Sequence, residues 1–259
     1  MFGHRGASGE APENTLVAFE RALAQGAEVI ETDVHLTHDG EVVIAHDADV
    51  SRTTDGSGQI AALRLSELSA LDAGHGFSPD GGRSHPYRGR GLSIPTLREV
   101  FRRLPGVRFN IELKSEEARL VAAVVALVAE HERAPLSLLA AGEEQTLAAV
   151  RLEVARRSVP VALGASVADV LGFVRAALGQ GEAPRGPMAL QIPPSFAGQP
   201  LVTRELIDFA HSRDVQVHVW TINDEPEMER LLDLGVDGLM SDFPGRLRGV
   251  VDARRRARG

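Results

Sequence analysis

The stretch NTLVAFERALAQGAEVIETDVHLT, residues 14–37, contains one predicted helix followed by one predicted strand. Asn14 stands where a helix N-cap is expected, the apolar residues after it recur at helical spacing, and Gly26 follows as a helix end. The alternation of apolar and polar residues after Gly26 predicts a strand. This pair of elements is the unit that recurs along the chain.

Strand-like runs alternate with helix-like runs through the whole sequence. The strand-like runs are MFGH, AEVIETDVHLT, VRFNIELK, LSLLA, VPVALG, PMALQIP, VQVHVWTI and VDGLM. Eight strands alternating with helices predict an α/β fold, a closed (β/α)₈ TIM barrel whose working face lies at the C-terminal ends of the strands. Because barrels reach this length and no linker-like stretch interrupts the pattern, we expect residues 1–259 to form a single domain.

One long irregular segment, about residues 47–94, breaks the alternation after the second strand. It is rich in Gly, Ser and Asp and holds one short helix-like piece. A connection of this length inside a compact barrel is usually functional, so we predict that it is a small cap over the barrel mouth. His75, His85 and Tyr87 lie in it and are interpreted as solvated loop residues.

The composition restricts the partners and the kind of metal site. A net charge of −8 argues against nucleic acid and against stable association with an anionic membrane surface. The absence of cysteine excludes disulfides and thiolate metal sites. If Met1 is the natural start, the three residues before His4 leave no room for a secretory segment, and we expect a cytoplasmic protein. The oligomeric state is left open.

Alternation along the strands turns polar side chains into the predicted barrel. In the second strand the apolar positions suit the surrounding helices, which directs Glu31 and Asp33 inward. The same reasoning directs Glu112 and Lys114 inward from the third strand and Trp220 inward from the seventh.

Three carboxylates converging in a confined mouth repel one another unless a cation holds them. Oxygen ligands without thiolate favour Mg²⁺ or Ca²⁺, so we predict one hard divalent cation bound by Glu31, Asp33 and Glu112. The alternative is a structural cluster of ion pairs in which Arg5 and Lys114 neutralise the carboxylates.

Lys114 is the only lysine in the chain, which uses arginine at every other cationic position. A single lysine kept beside a cluster of carboxylates indicates that a compact ammonium group is needed there. Phosphate is a natural partner for that group.

The dipeptide DG at 39–40 predicts a hairpin with a two-residue loop. Counting outward from that loop sets Asp33 directly opposite His46, and a bulge would shift this pairing by one position. In either register His46 is predicted to lie at the barrel mouth. By the same count His35 and His38 extend along the hairpin, where we expect them to be solvated.

His4 and Arg5 emerge at the end of the first strand, beside the strand that carries the carboxylates. Together with His46 and Lys114 they supply two imidazoles and two cations. That set suits in-line phosphoryl chemistry, in which one imidazole takes a proton, the other gives one, and the cations hold the negative charge.

The sequence resembles the glycerophosphodiester phosphodiesterase family. The resemblance rests on the motifs HRGASGEAPENTLVAF, EVIETDVHLTHDGEVVIAHD, RTTDGSG, IPTLREVF, NIELK, VHVWTIN and VDGLMSDFP, in this order from His4 to Pro244. It implies a metal-dependent barrel enzyme that cleaves a small glycerophosphodiester to glycerol 3-phosphate and an alcohol. The route implied by analogy is attack by the glycerol 2-hydroxyl through a cyclic phosphate.

The resemblance also implies roles for individual residues. It assigns cation binding to the carboxylates Glu31, Asp33 and Glu112. It assigns acid and base catalysis to His4 and His46, and phosphate binding to Arg5 and Lys114. Trp220 would form the wall against which the substrate binds.

Two other functions remain as alternatives. A related barrel enzyme of the phospholipase D type acts on choline (lyso)phospholipids at membranes, but the acidic charge and the lack of an exposed apolar stretch argue against it. A non-catalytic binding barrel is expected to have lost His4, His46 or a carboxylate, and all of these are present.

Overall fold

The computed structural model describes residues 1–258, and strands alternate with helices through this range. The strands are β1 Phe2–His4, β2 Val29–Leu36, β3 Val42–Ile44, β4 Arg108–Leu113, β5 Ser137–Ala140, β6 Ala162–Leu163, β7 Ala189–Ile192, β8 Ser195–Phe196, β9 Gln199–Pro200, β10 Gln216–Val219 and β11 Gly238–Ser241. The α-helices are α1 Leu16–Ala24, α2 Leu65–Leu68, α3 Leu97–Arg103, α4 Ala118–Glu130, α5 Glu144–Arg157, α6 Val167–Ala177, α7 Arg204–His211, α8 Glu225–Leu234 and α9 Pro244–Arg258. Short 3₁₀ helices cover Val50–Arg52, Ile60–Ala62 and Ala134–Leu136.

Eight parallel strands form the barrel, in the order β6-β5-β4-β2-β1-β11-β10-β7. A parallel bridge between Gly164 and Ala189 joins the two ends of this order. The predicted (β/α)₈ barrel is therefore confirmed, and each of the eight predicted strands is present. The additional strand β3 pairs with β2 as the second arm of a hairpin.

Apolar side chains on the outward face of the strands pack against the helices in two large clusters. One cluster covers β2, β4 and β5 and includes Ile30, Val34, Phe109, Val124 and Leu139. The other covers β7, β10 and β11 and includes Leu190, Val217, Leu239, Ile207 and Met228. Since strand side chains alternate between faces, this packing leaves the intervening residues to point into the barrel.

Helix α1 begins one residue later than the sequence predicts. Thr15 is its N-cap, and the Thr15 Oγ1 accepts a hydrogen bond from the Ala18 backbone N–H at 3.3 Å. Asn14 instead has a φ of 58°, a left-handed conformation that asparagine tolerates better than most residues. This turn sends the Asn14 side chain inward, where its amide donates to Asp33 Oδ2 at 3.0 Å.

The hairpin between β2 and β3 has a three-residue loop, one residue longer than predicted. The Thr37 backbone N–H donates to the Glu41 carbonyl at 2.9 Å, and the loop ends in a glycine with a φ of 88°. The longer loop shifts the register by one, so that Ala45 rather than His46 lies opposite Asp33. The predicted pairing is wrong by one position.

The same shift changes the environment of His35. It was expected to be solvated, but it is buried, and its Nε2 donates to the His46 carbonyl at 3.1 Å. Burial lowers the pKa of His35. His38 is exposed, as predicted.

Residues 47–94 pack against β3, and together they form a small separate core. Its buried members are Val43, Val50, Ile60, Leu68, Ala73 and Ile94. His75, His85 and Tyr87 are half-buried in this segment rather than solvated, and the Tyr87 ring packs edge-on against Phe77.

Candidate active site

A cavity of about 390 Å³ opens at the C-terminal ends of the barrel strands. All eight residues to which the sequence analysis assigned roles line it, namely His4, Arg5, Glu31, Asp33, His46, Glu112, Lys114 and Trp220. They come from β1, β2, β4 and the segments that follow β1, β3, β4 and β10. The barrel thus brings together residues that lie up to 216 positions apart in the sequence.

Glu31, Asp33 and Glu112 form a compact cluster. One oxygen from each carboxylate lies within 4.8 Å of the others, in a geometry that could hold a metal ion. Asp33 and Glu112 are register partners on neighbouring strands, and Glu31 and Asp33 are buried. Burial and the nearby charges of Asp33 and Glu112 raise the pKa of Glu31 well above its usual value.

Two cations neutralise part of this charge. The Lys114 Nζ lies 3.1 Å from Asp33 Oδ1 and 3.0 Å from Glu112 Oε2. Burial by itself would lower the pKa of Lys114, but these two carboxylates outweigh it and raise the pKa. The Arg5 Nε lies 3.4 Å from Asp33 Oδ2, so the ion pairs of the alternative interpretation are present for two of the carboxylates.

The ion pairs with Lys114 and Arg5 do not neutralise the Glu31 carboxylate. Among the described residues, its carboxylate accepts one hydrogen bond, from the Arg5 backbone N–H at 3.1 Å, and its nearest ion-pair partner is the His4 Nε2 at 3.9 Å. A buried carboxylate with a raised pKa beside two others fits a site for a hard cation, because an all-oxygen donor set suits Mg²⁺ or Ca²⁺.

His4 is held from behind by Asp242, the residue after β11. The His4 Nδ1 lies 2.6 Å from Asp242 Oδ1, which also accepts a hydrogen bond from the Ser8 hydroxyl at 2.7 Å. The Asn223 amide donates to Asp242 Oδ2 at 2.6 Å. Burial acts to raise the pKa of Asp242, but hydrogen bonds from His4 and Ser8 lower it to about 2. An ionised Asp242 keeps a proton on the His4 Nδ1 and leaves Nε2 as the ring nitrogen that can accept a hydrogen bond.

His46 has the same arrangement with a different partner. Its Nδ1 lies 2.7 Å from Asp47 Oδ1, which leaves Nε2 for the cavity that the ring lines. A hydrogen bond from the Arg52 guanidinium lowers the pKa of Asp47 to about 2. Arg52 also donates to both oxygens of Glu13, at 2.7 and 2.8 Å, and Glu13 accepts from Arg5 at 3.1 Å. A continuous row of ion pairs therefore joins His46 to Arg5.

Sequence reasoning did not place Asp242, Asp47, Arg52, Glu13 or Asn14 in the site. Each belongs to, or directly follows, a motif that carries the family resemblance, and that was the available signal. Their side-chain partners depend on contacts between segments distant in sequence.

The insertion contributes to the site through Asp47 and Arg52 rather than through the cavity wall. Within residues 1–258, none of the side chains that line the cavity comes from 47–94. The predicted cap therefore stays a prediction.

The side of the cavity away from the charged cluster is apolar. We call it the apolar wall, formed by the first two turns of α6, the β8–β9 hairpin and the residue after it. Its members are Val167, Val170, Leu171, Phe196 and Leu201. Trp220 lies in the same cavity and is part-exposed.

Within the described range, no helix is both long enough and apolar enough to cross a membrane.

A sequence model of the glycerophosphoryl diester phosphodiesterase family matches residues 4–246. A glycerophosphodiester phosphodiesterase of Caldanaerobacter subterraneus subsp. tengcongensis is 30% identical over 263 residues, covering 97% of each chain. The lysophospholipase D GDPD1 of Mus musculus is 28% identical over 272 residues, covering 96% of this chain and 85% of the mouse protein.

A similar solved structure is that of an Oleispira antarctica phosphodiesterase in complex with the product sn-glycerol-3-phosphate. It is 30% identical, has a TM-score of 0.77, and covers 97% of this chain and 96% of the other. The fold and the sequence thus point to the same group of proteins.

Proposed function

The chain belongs to the glycerophosphoryl diester phosphodiesterase family, and from that membership we propose that it hydrolyses glycerophosphodiesters with one divalent cation and a pair of histidines. The products are glycerol 3-phosphate and the alcohol of the substrate. The product bound to the Oleispira antarctica enzyme supports this reaction. The observation that carries the proposal is the convergence of three carboxylates and two aspartate-bound histidines in one cavity.

Glu31, Asp33 and Glu112 would hold the cation, Mg²⁺ or Ca²⁺. When bound, such an ion neutralises the phosphodiester charge and makes a coordinated hydroxyl more acidic. Lys114 and Arg5 bind the non-bridging phosphate oxygens, because both are cations that line the cavity beside the carboxylate cluster.

The two histidines move the protons of the reaction. The Nε2 of one accepts a proton from the attacking hydroxyl, and the Nε2 of the other donates a proton to the oxygen of the departing alcohol. Asp242 and Asp47 keep the opposite ring nitrogens protonated and so fix which nitrogen reacts. Following the family resemblance, the attacking group is the glycerol 2-hydroxyl, and water then opens the cyclic phosphate.

The remaining part of the substrate lies against Trp220. We propose that residues 1–259 work as one catalytic domain with 47–94 at the edge of the mouth as a cap. The position of this segment directly after His46 supports that role, as does the reach of Arg52 to Glu13. The cytoplasmic location and the lack of a nucleic-acid partner stay predictions from the sequence.

The first test is removal of the metal. Exhaustive chelation should abolish release of the alcohol from glycerophosphocholine, and added Mg²⁺ or Ca²⁺ should restore it, because three clustered carboxylates need a cation to hold the substrate phosphate. Release is measured as choline over time, with the folded state checked by circular dichroism. Full activity after chelation would contradict the metal site.

The second test is the histidine pair. Changing His4 or His46 to alanine should lower kcat by about 10²- to 10⁴-fold, the usual contribution of a positioned acid or base. The double variant should lose little more than the worse single one, because groups that act as a unit are not additive. His38→Ala is the control, since His38 is exposed on the hairpin loop. A kcat for His46→Ala close to that of the unchanged protein would rule out its role.

A further inference from the structure

Two amide side chains line the cavity and have unpaired polar atoms. Asn110 on β4 is 4% exposed, and Gln191 on β7 is half-buried. Within residues 1–258, the buried atoms Asn110 Oδ1 and Gln191 Nε2 have no hydrogen-bond partner. Because buried polar atoms are nearly always paired in folded proteins, these amides need a partner that the described chain does not supply. We call Asn110 and Gln191 the floor amides.

The floor amides lie at the inner end of the cavity. Asn110 precedes Glu112 by two residues on β4, and a strand rises about 3.3 Å per residue, so Asn110 lies about 7 Å deeper in the barrel. Gln191 is the register partner of His218, which precedes Trp220 by two residues. The part of a ligand that meets these amides is therefore the part that enters the barrel first.

Small residues line the barrel between the floor amides. Strands β5 and β6 separate β4 from β7; Ala140 ends β5, and Gly164 directly follows β6. A Cβ atom on Gly164 would lie 2.9 Å from Gln191 Oε1 and 3.3 Å from the Ala140 Cβ. The glycine therefore lets the Gln191 amide take its position beside the cavity.

A hydroxyl is the ligand group that suits both floor amides. Each amide has a donor and an acceptor, and half a turn of the amide exchanges their positions. A hydroxyl can donate to the oxygen of one amide and accept from the nitrogen of the other. An apolar group would leave both amides unpaired, and a phosphate or an ammonium group would pair with only one kind of amide atom.

We propose that Asn110 and Gln191 bind the terminal hydroxyl, on carbon 1, of the substrate's glycerol and so select glycerophosphodiesters in which this hydroxyl is free. The inference rests on the proposed function, in which Lys114 and Arg5 hold the phosphate on carbon 3 and the 2-hydroxyl attacks. The 1-hydroxyl is then the remaining hydroxyl of the glycerol. A diester acylated on carbon 1 cannot donate a hydrogen bond from that oxygen, so it is expected to be a poor substrate.

The test compares two substrates that differ in this hydroxyl alone. Glycerophosphocholine has it, whereas propane-1,2-diol with phosphocholine on its primary hydroxyl lacks it and keeps the attacking hydroxyl. We expect kcat/KM, measured as choline release, to be about 10- to 100-fold higher for glycerophosphocholine, because the analogue leaves buried amide atoms unpaired. Equal values of kcat/KM for the two substrates would overturn the proposal.

Matched variants assign the preference to the floor amides. Asn110→Leu and Gln191→Met replace each amide by an apolar side chain of similar size, and each should bring the ratio of the two kcat/KM values close to one. The ratio is measured within each variant, so a general loss of folded protein cancels. Gln216→Met is the control and should keep the ratio, because Gln216 is exposed and, within the described range, does not line the cavity.

Unchanged ratios in Asn110→Leu and Gln191→Met would mean that water rather than substrate pairs with the amides, and the proposal would be wrong. A third substrate, a short-chain lysophosphatidylcholine acylated on carbon 1, is tested below its critical micelle concentration. Its kcat/KM should also be at least about tenfold below that of glycerophosphocholine. An equal or higher value would contradict the selection of a free hydroxyl.

Binding of the cation is the alternative role for Asn110, because it is the register partner of Glu31. Titration with Mg²⁺ or Ca²⁺ in the absence of substrate should give the same affinity for Asn110→Leu as for the unchanged protein. A lower affinity with an unchanged substrate ratio would make Asn110 a metal ligand and overturn the proposal. Hydrolysis of glycerophosphocholine without any preference overturns this inference alone, whereas no hydrolysis of any of the substrates overturns the proposed function.

Discussion

His4 lies between two carboxylates that act on different ring nitrogens. Asp242 binds Nδ1 at 2.6 Å, and Glu31 is 3.9 Å from Nε2. Because hydrogen bonds from His4 and Ser8 lower the pKa of Asp242 to about 2, its carboxylate is ionised at neutral pH and holds the Nδ1 proton. The orientation of the ring is thus set by a residue that does not line the cavity.

Replacing Asp242 with asparagine should lower kcat by up to about 100-fold, because a rotated or wrongly protonated His4 loses part of the acid–base contribution. KM and metal affinity should change much less, since the variant leaves the three clustered carboxylates and the side chains of Arg5 and Lys114 in place. Steady-state kinetics on glycerophosphocholine separates the two constants.

Asp237→Asn is the matched control for this variant. Asp237 forms a similar pair with His211, at 2.8 Å, away from the cavity. A fall in kcat of the same size in both variants would mean that the loss reflects general destabilisation and not the position of His4.

At the scale of elements, one side chain of the insertion, Arg52, connects two segments of the site. Arg52, in the 3₁₀ helix Val50–Arg52, binds Asp47 on one side and Glu13 on the other. Burial would raise the pKa of Glu13, but Arg52 and Arg5 outweigh it and lower the pKa. Arg52 therefore links the segment that carries His46 to the segment that carries Arg5.

Arg52→Ala should lower kcat by about tenfold, the range typical of partners that orient a reacting group through another residue. Arg52→Lys should recover part of the loss, because it restores the charge but not the two-sided geometry. Stability should change by less than about 1 kcal/mol, since Arg52 is half-exposed and such ion pairs contribute little.

The control for Arg52 is Arg83→Ala, an exposed arginine in the same insertion. Its kcat should match that of the unchanged protein. If Arg52→Lys and Arg52→Ala had the same kcat as Arg83→Ala, the row of ion pairs would have no part in positioning the histidines.

At the scale of the whole molecule, His218 is a buried histidine that has no part in the proposed reaction. His218 on β10 is buried against the Phe2 ring, with centroids 4.7 Å apart, and its Nε2 bonds Gln216 at 2.9 Å. Its Nδ1 has no hydrogen-bond partner among the described residues. Burial lowers the pKa of His218 to about 4.

Stability should therefore fall with acidification. In the unfolded chain this histidine takes up a proton near pH 6.5, whereas in the folded protein it stays neutral down to about pH 4. The unfolded state therefore binds more protons between these two pH values, and the free energy of unfolding decreases as the pH falls from 6.5 to 4. The loss from His218 is at most about 3 kcal/mol. His218→Asn removes the titrating group, and denaturant unfolding at several pH values should show a flatter dependence. Parallel curves for the two proteins would contradict the assignment.

The periodicity of apolar and polar residues within each element is sufficient to predict the barrel strands and the direction of their side chains. The alternation of apolar and polar residues predicted the eight barrel strands, and it directed Glu31, Asp33 and Glu112 to the inside, where the structure has them. These predictions succeed because the side-chain direction in a strand depends only on the position within that strand. The cavity positions of His4 and Arg5 followed from strand order alone.

Contacts between distant segments were decided by the tertiary structure. The pairing of His4 with Asp242 across 238 positions and the contact of Asn14 with Asp33 depend on how the strands of the barrel assemble. The sequence shows no exposed apolar stretch, yet folding gathers Val167, Leu171 and other wall residues from separate elements into one surface. Periodicity within an element determines which face a side chain takes, and only the closing of the sheet determines which side chains from different elements meet.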